Sequence, residues 1–184
     1  YQFRKELTEE LLKDHEVYLS TPFVGREEEL KELGCHMIET HVDRRGINAI
    51  TDLKLLFEYN KIIKEVKPDK VITYSIKPNI YASIICTFNK IPYYVNVQGL
   101  GTAFQKKGIS TLVTFLYKLA LKNAKVVFFE NEGNANEFQI RKIIPKYKEK
   151  LLKGAGINLD KFTYQEYKED NIVHFLFVGR IMKE

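Results

Sequence analysis

The alternation of short apolar segments with longer helical segments constrains this 184-residue chain more than any other feature. The segments "KVITYS" (70–75) and "KVVFFE" (125–130) are apolar almost throughout, as strands covered on both faces of a sheet must be. Between such segments lie helical patterns; in Ile50–Val66, Leu53, Leu56, Phe57 and Ile63 recur close to a 3.6-residue period. Regular alternation of strand and helix predicts an α/β fold with a Rossmann-like, doubly wound parallel sheet.

The pattern predicts seven strands and six helices. The expected strands are His15–Ser20, His36–Val42, Lys70–Ser75, Tyr93–Gln98, Val126–Glu130, Leu151–Lys153 and Val173–Val178. The expected helices are Phe3–Lys13, Arg26–Leu33, Ile50–Val66, Pro78–Asn89, Ile109–Asn123 and Asn134–Ile144. Because the sequence opens on a helical pattern, we expect the first strand of the sheet, with its glycine-rich turn, to be missing. We divide the chain into a Rossmann-like domain (1–163), a polar linker (164–171) and the first strand of a truncated second domain (172–184).

The composition favours a soluble enzyme or ligand-binding domain. With 45% hydrophobic and 29% charged residues, the chain can bury a core and is not expected to be disordered. A net charge of +5 fits a phosphate-bearing ligand, an anionic membrane or a nucleic acid. The tyrosines and phenylalanines lie in apolar segments rather than in a basic groove, which disfavours nucleic acid.

Cysteine and histidine usage predicts neither a disulfide framework nor a metal site. Cys35 and Cys86 form no CxxC motif, and the four histidines are scattered. We therefore expect free thiols in a reducing cytosol and no metal ion or other cofactor. No apolar segment approaches the roughly 20 residues that a membrane-spanning helix requires.

Ligands of open α/β sheets bind beyond the carboxyl ends of the strands, so the residues that follow each strand are the site candidates. Arg44 and Arg45 follow the second expected strand and could clamp a phosphate, although they could also form a solvated turn. Lys77 precedes Pro78 and Asn79 at a helix start, where exposed backbone amides favour an anion; a simple capped helix would use the same proline.

Two further loops carry candidate residues. Gly99 and Gly101 follow the fourth strand, where glycines allow a positive φ or a close backbone approach to a ligand, and Gln98 lies at the tip of that strand. Glu130 lies at the tip of the fifth strand, and Glu132 comes shortly after it. Two carboxylates could serve glycoside hydrolysis, but an acidic helix start at Asn131 or Glu132 explains the same residues.

The helix Ile109–Asn123 is expected to be amphipathic. Its apolar stripe comprises Ile109, Leu112, Val113, Leu116, Leu119 and Ala120. Phe115, Lys118 and Lys122 fall on the other side, where they could contact lipid headgroups. The apolar stripe itself is most simply part of the core.

Six motifs, taken in order, resemble glycosyltransferase family 4, whose members have two Rossmann-like domains in the GT-B fold. They are "DRRGIN", "YSIKPNIYAS", "NVQGLGTAF", "FLYKLALKNAKVVFFENE", "GAGINLDKF" and "FLFVGR". The likeness is greatest to bacterial transferases that add N-acetylgalactosamine or another hexose to polyprenyl-diphosphate-linked saccharides of glycans and capsules. It implies that this chain is the N-terminal, acceptor-binding domain.

The resemblance also implies roles for individual residues. Arg44, Arg45, Lys77 and Asn79 would bind the acceptor. Gln98, Gly99 and Gly101 would line the catalytic cleft. Gly156, Asn158, Gly179 and Arg180 would serve the donor, with the arginine on its diphosphate. Gln98 stands where many members have a histidine, so no catalytic base is assigned, and Asn158 replaces the usual aspartate.

The activity implied is retaining transfer from a nucleotide-sugar, with UDP as the expected nucleotide. We expect a cytoplasmic protein at the inner face of the plasma membrane, in peripheral contact with it. The chain by itself is expected to be inactive, since most of the donor site would lie in the second domain. Two alternatives stay open: a non-catalytic Rossmann-like ligand-binding module, and half of a sugar-nucleotide epimerase.

Overall fold

The computed structural model describes residues 4–43, 48–101, 104, 108–166, 172–173 and 175–179. Its strands are β1 (Tyr18–Thr21), β2 (His36–Glu39), β3 (Val71–Tyr74), β4 (Tyr93–Val97), β5 (Val126–Phe129) and β6 (Glu149–Leu151). Its α-helices are α1 (Lys5–Leu11), α2 (Glu27–Glu32), α3 (Ala49–Val66), α4 (Ile76–Phe88), α5 (Ile109–Leu121) and α6 (Glu132–Ile140). The predicted α/β class is confirmed.

All strand pairs are parallel, as the sequence predicts. They form two groups, a β1–β2 pair and a four-stranded sheet in the order β3–β4–β5–β6. Within the described residues, β1 and β3 do not pair with each other. If one further strand lay between β1 and β3, it would join the two groups into a single parallel sheet with the strand order of a Rossmann fold.

Two expected strands differ from the structure near the carboxyl end of the chain. The strand expected at Leu151–Lys153 lies at Glu149–Leu151, directly after a short 3-10 turn at Lys146–Lys148. The strand expected at Val173–Val178 is not formed by the described residues 172–173 and 175–179, which are exposed. An apolar segment becomes a strand only when another strand pairs with it, and the described residues offer this one no partner.

The core lies between the β3–β6 sheet and the helices α3, α4 and α5. α4 packs on β3 and β4 and lies between α3 and α5. The buried stripe of α3 is Leu55, Tyr59 and Ile63. This differs from the expected stripe, because Leu53 and Phe57 point to solvent.

An aromatic cluster joins α5 and α6 to the sheet. The Phe138 ring of α6 meets Phe129 and Tyr117 edge-on, with ring centroids 5.0 and 5.1 Å apart. The ring centroid of Phe104 lies 6.2 Å from that of Phe138. Phe138 is fully buried by these contacts, so it contributes both apolar burial and aromatic pairing.

Phe138→Ala is expected to lower the free energy of unfolding by about 3–5 kcal/mol, because it leaves a cavity among these rings. Ile140→Ala on the same helix removes an exposed side chain and should change stability by less than about 0.5 kcal/mol. Urea unfolding followed by circular dichroism measures both. Equal losses in the two variants would contradict this account of the core.

Candidate active site

The carboxyl ends of β3, β4 and β5 form one edge, which we call the carboxyl edge. Tyr74 pairs with Asn96, and Val97 pairs with Phe129. Gln98 and Glu130 therefore come directly after paired residues and lie on neighbouring strand tips. The register brings together two loops that the sequence analysis selected separately.

Arg4 and Glu130 form an ion pair across this edge, although 126 residues separate them. Both side chains are largely buried, and the Arg4 guanidinium carbon lies 4.9 Å from the centroid of the Tyr74 ring. Burial raises the pKa of Tyr74, the nearby Arg4 cation lowers it, and Glu130 raises it further. Arg4 thus ties the start of α1 to the tips of β3 and β5.

Arg4 could not be selected from the sequence, because no local pattern links it to Glu130. The helix start beside that carboxylate was predicted from the sequence, and the structure confirms it. The Asn131 side chain caps α6 by accepting a hydrogen bond from the Asn134 amide at 2.9 Å. The Asn134 side chain in turn donates to the Gln98 carbonyl at 3.4 Å, which joins α6 to the tip of β4.

Lys77 lies in the first turn of α4 at the carboxyl edge, and its ammonium is already paired. Its Nζ lies 2.6 Å from Oδ1 of Asp52 in the first turn of α3, and the two side chains are 14% and 13% exposed. Burial raises the pKa of Tyr81, and its hydrogen bond to the Asp52 carboxylate raises it further. An anionic ligand would have to share Lys77 with Asp52.

Asn79 lies in the interior, where it ties α4 to β4. Its side chain is 1% exposed, and its Nδ2 donates to the Asn96 carbonyl at 3.0 Å. The Asn79 Oδ1 atom is buried without a hydrogen-bond partner. In this arrangement Asn79 holds the strand beside the edge, and direct contact with an acceptor would require it to leave the core.

The glycine loop after β4 is partly described. Gln98 and Gly99 are exposed, and a side chain at Gly99 would meet open space. Gly101 has a φ of +62°, and a Cβ there would lie 3.1 Å from the Ile76 side chain. The positive φ of Gly101 therefore favours glycine at that position. At Gly99 the absence of a side chain leaves the edge open to a ligand.

The expected donor residues are only partly within the described chain. Asn158 Oδ1 accepts hydrogen bonds from the amides of Asp160 and Lys161, and its Nδ2 donates to Glu6 at 3.3 Å. Gly156 has a φ of +79°. Gly179 is exposed, while Arg180, Arg44 and Arg45 lie outside the described residues.

A shallow depression of about 320 Å³ lies at the opposite edge of the sheet, where β3 and β4 begin. Its lining residues are Ile63, Lys64, Lys67, Pro68, Asn89 and Ile91. None of the candidate site residues lines it.

Over the described residues, no three His, Cys, Asp or Glu side chains cluster as a metal site would require. In the same part of the chain, no helix has the length and apolarity needed to cross a membrane.

Lys77→Met is expected to lower the free energy of unfolding by about 1–3 kcal/mol, because it leaves the Asp52 carboxylate largely buried and without a cation. The double variant Lys77→Met, Asp52→Asn should regain most of that loss, since it removes the charge as well. Urea unfolding of the two single variants and the double variant measures the coupling. A double variant that loses the sum of both single effects would contradict the pairing.

Comparison with known proteins gives a family and two structural likenesses. Residues 2–131 match the family described as "Glycosyl transferase 4-like". A relative from Campylobacter jejuni subsp. jejuni serotype O:2 is 33% identical over 170 residues. It is an N,N'-diacetylbacillosaminyl-diphospho-undecaprenol alpha-1,3-N-acetylgalactosaminyltransferase, and the match covers 88% of this chain and 45% of the relative.

The solved structure of MurG from Acinetobacter baumannii superposes with a TM-score of 0.52 at 16% identity, over 85% of this chain and 42% of MurG. A UDP-N-acetylglucosamine 2-epimerase gives a TM-score of 0.47 at 15% identity, over 73% and 47% of the two chains. The MurG likeness supports the Rossmann-like α/β fold. The chain spans less than half the length of each of these proteins.

Proposed function

The chain belongs to the glycosyl transferase 4-like family, and on this basis we propose that it is the acceptor-binding half of a retaining glycosyltransferase. The sugar would pass from a nucleotide-sugar, with UDP as the nucleotide, to a polyprenyl-diphosphate-linked saccharide. The observation that carries the proposal is the 33% identity over 170 residues to a transferase whose name specifies a diphospho-undecaprenol acceptor. The carboxyl edge, with Lys77, Gln98 and the open Gly99, is the proposed place of binding.

The proposed chemistry requires stabilisation of charge on the departing nucleotide diphosphate. Arg180 would supply a guanidinium there, with Gly179, Gly156 and Asn158 beside the donor. The departing phosphate itself would accept the proton of the acceptor hydroxyl, so no base is assigned in this chain. Gln98 would then orient the acceptor by hydrogen bonding rather than by proton transfer.

Glycoside hydrolysis is a poorer match to the same edge. A hydrolase needs two carboxyl groups flanking the scissile bond, one of them protonated at the start. Glu130 is held in an ion pair with Arg4, and Glu132 lies in the first turn of α6. The pairing supports a structural role for Glu130.

We propose that residues 1–163 form the acceptor domain, 164–171 a linker and 172–184 the beginning of the donor domain. On this proposal the 184-residue chain does not transfer sugar by itself, because the donor site would be completed by a second Rossmann-like domain. The 45% coverage of the Campylobacter relative supports this division. The reaction would take place in the cytoplasm, at the inner face of the plasma membrane, during glycan or capsule synthesis.

Arg44→Ala, made in the protein with its donor half, is expected to reduce use of a polyprenyl-diphosphate acceptor about 10- to 100-fold. The estimate follows from a charge-assisted contact to phosphate of about 1.5–3 kcal/mol. Arg44→Lys should restore activity only in part, because an ammonium cannot make the bidentate contact of a guanidinium. The measurement is kcat/KM for the diphosphate acceptor and for the same saccharide without its diphosphate.

The proposed role of Lys77 is tested in the same assay, with Asp52→Asn as the matched control. Lys77→Gln should impair only the diphosphate acceptor, whereas Asp52→Asn, which frees the same ammonium, should preserve or improve its use. If Arg44→Ala and Lys77→Gln leave discrimination between the two acceptors unchanged, these residues do not bind the diphosphate. Turnover of the nucleotide-sugar with no acceptor present would favour an epimerase instead.

A further inference from the structure

The outer face of α5 is apolar although it faces solvent. Leu112, Phe115 and Leu119 are 49%, 62% and 53% exposed, and their spacing places them along one stripe of the helix. Lys118 and Lys122 lie beside them and are also exposed. We call these five residues the α5 outer face.

The opposite side of α5 accounts for its packing against the core. Val113, Tyr117, Ala120 and Leu121 are buried there. The prediction that Leu112 and Leu119 lie on the core stripe with Val113 is wrong, because the buried stripe of the helix is narrower than its apolar stripe. The core therefore leaves Leu112, Phe115 and Leu119 uncovered.

The charges that the α5 segment itself carries have a single sign. The segment from Ile109 to Lys125 contains three lysines and no acidic residue. Among the described residues, neither Lys118 nor Lys122 forms a salt bridge. By contrast, α3, which also exposes apolar residues, carries three acidic residues in its sequence, Asp52, Glu58 and Glu65.

The positive charge of the whole chain is concentrated in the segment that includes α5. Residues 48–125, which include α3, α4 and α5, contain 12 lysines and 4 acidic residues. The rest of the chain contains 17 basic and 20 acidic residues. The cationic surplus thus belongs to the segment that carries the α5 outer face.

We propose that the α5 outer face lies on an anionic phospholipid bilayer. Leu112, Phe115 and Leu119 enter the boundary between headgroups and acyl chains, while Lys118 and Lys122 reach the lipid phosphates. A 13-residue helix is about 20 Å long and lies in the plane of the bilayer rather than across it. Charge complementarity and the apolar stripe together select a lipid surface as the occupant.

This contact deepens the proposed function by naming the surface where a lipid-linked acceptor is met, and only that consequence rests on the proposed function. α5 begins after the loop that follows Gln98, at the carboxyl edge. A bilayer against α5 therefore lies close to the edge that would receive the acceptor diphosphate. The edge need not bury the polyprenyl chain, which stays in the lipid.

The test is co-sedimentation of the purified protein with vesicles of phosphatidylglycerol and phosphatidylcholine in equal parts. Replacing both lysines (Lys118→Gln, Lys122→Gln) should weaken binding about 25-fold, roughly fivefold for each cation near an anionic surface. Phe115→Ser should weaken it about tenfold through lost apolar burial. Val24→Ser, which alters an exposed apolar residue between β1 and α2, is the matched control and should bind as the unaltered protein does.

Urea unfolding confirms that each variant is folded, and sedimentation without vesicles reports self-association. The proposal is overturned if the α5 variants bind as the control does, or if pure phosphatidylcholine vesicles bind equally well. It is also overturned if Phe115→Ser changes only self-association, which would identify a second copy as the occupant. Because no sugar transfer is measured, failure of this contact is distinguishable from failure of the proposed reaction.

Discussion

The parallel pairing of β3, β4 and β5 is the constraint on which the candidate site depends. Tyr74 lies beside Asn96 and Val97 beside Phe129, so the segments that follow these strands all emerge at one edge. A slip of one residue would turn every side chain of a strand to the opposite face of the sheet. The burial of Val95, Val97, Val127 and Phe129 therefore fixes the register, and with it the positions of Gln98 and Glu130.

The polar contacts at this edge hold one element to another and leave a limited part of it open. The Arg4–Glu130 pair fastens α1 to β5, Lys77–Asp52 joins α4 to α3, and Asn79 fastens α4 to β4. The exposed residues at this edge include Ser75, Gln98, Gly99 and Glu132. A ligand there would meet the Gln98 amide and the open backbone at Gly99, with the Lys77 ammonium close by but shared with Asp52.

The local features of the fold could be predicted from the sequence. Apolar segments located β3, β4 and β5, and the Asn131 cap was recognisable from its position after a strand. The partners of charged residues could not be predicted, because 126 residues separate Arg4 from Glu130 and 25 separate Lys77 from Asp52. Periodicity also could not show that Asn79 is buried or Leu112 exposed, since both depend on the elements that pack beside them.

The central claim is that an acceptor binds at the carboxyl edge of this domain. Hydrogen–deuterium exchange, with and without a water-soluble short-chain polyprenyl-diphosphate saccharide, tests it most directly. We predict slower exchange in segments 75–77, 98–101 and 130–134, and no change around Lys67 and Asn89 at the opposite edge. Slower exchange confined to that opposite depression, or no change at either edge, would contradict the account.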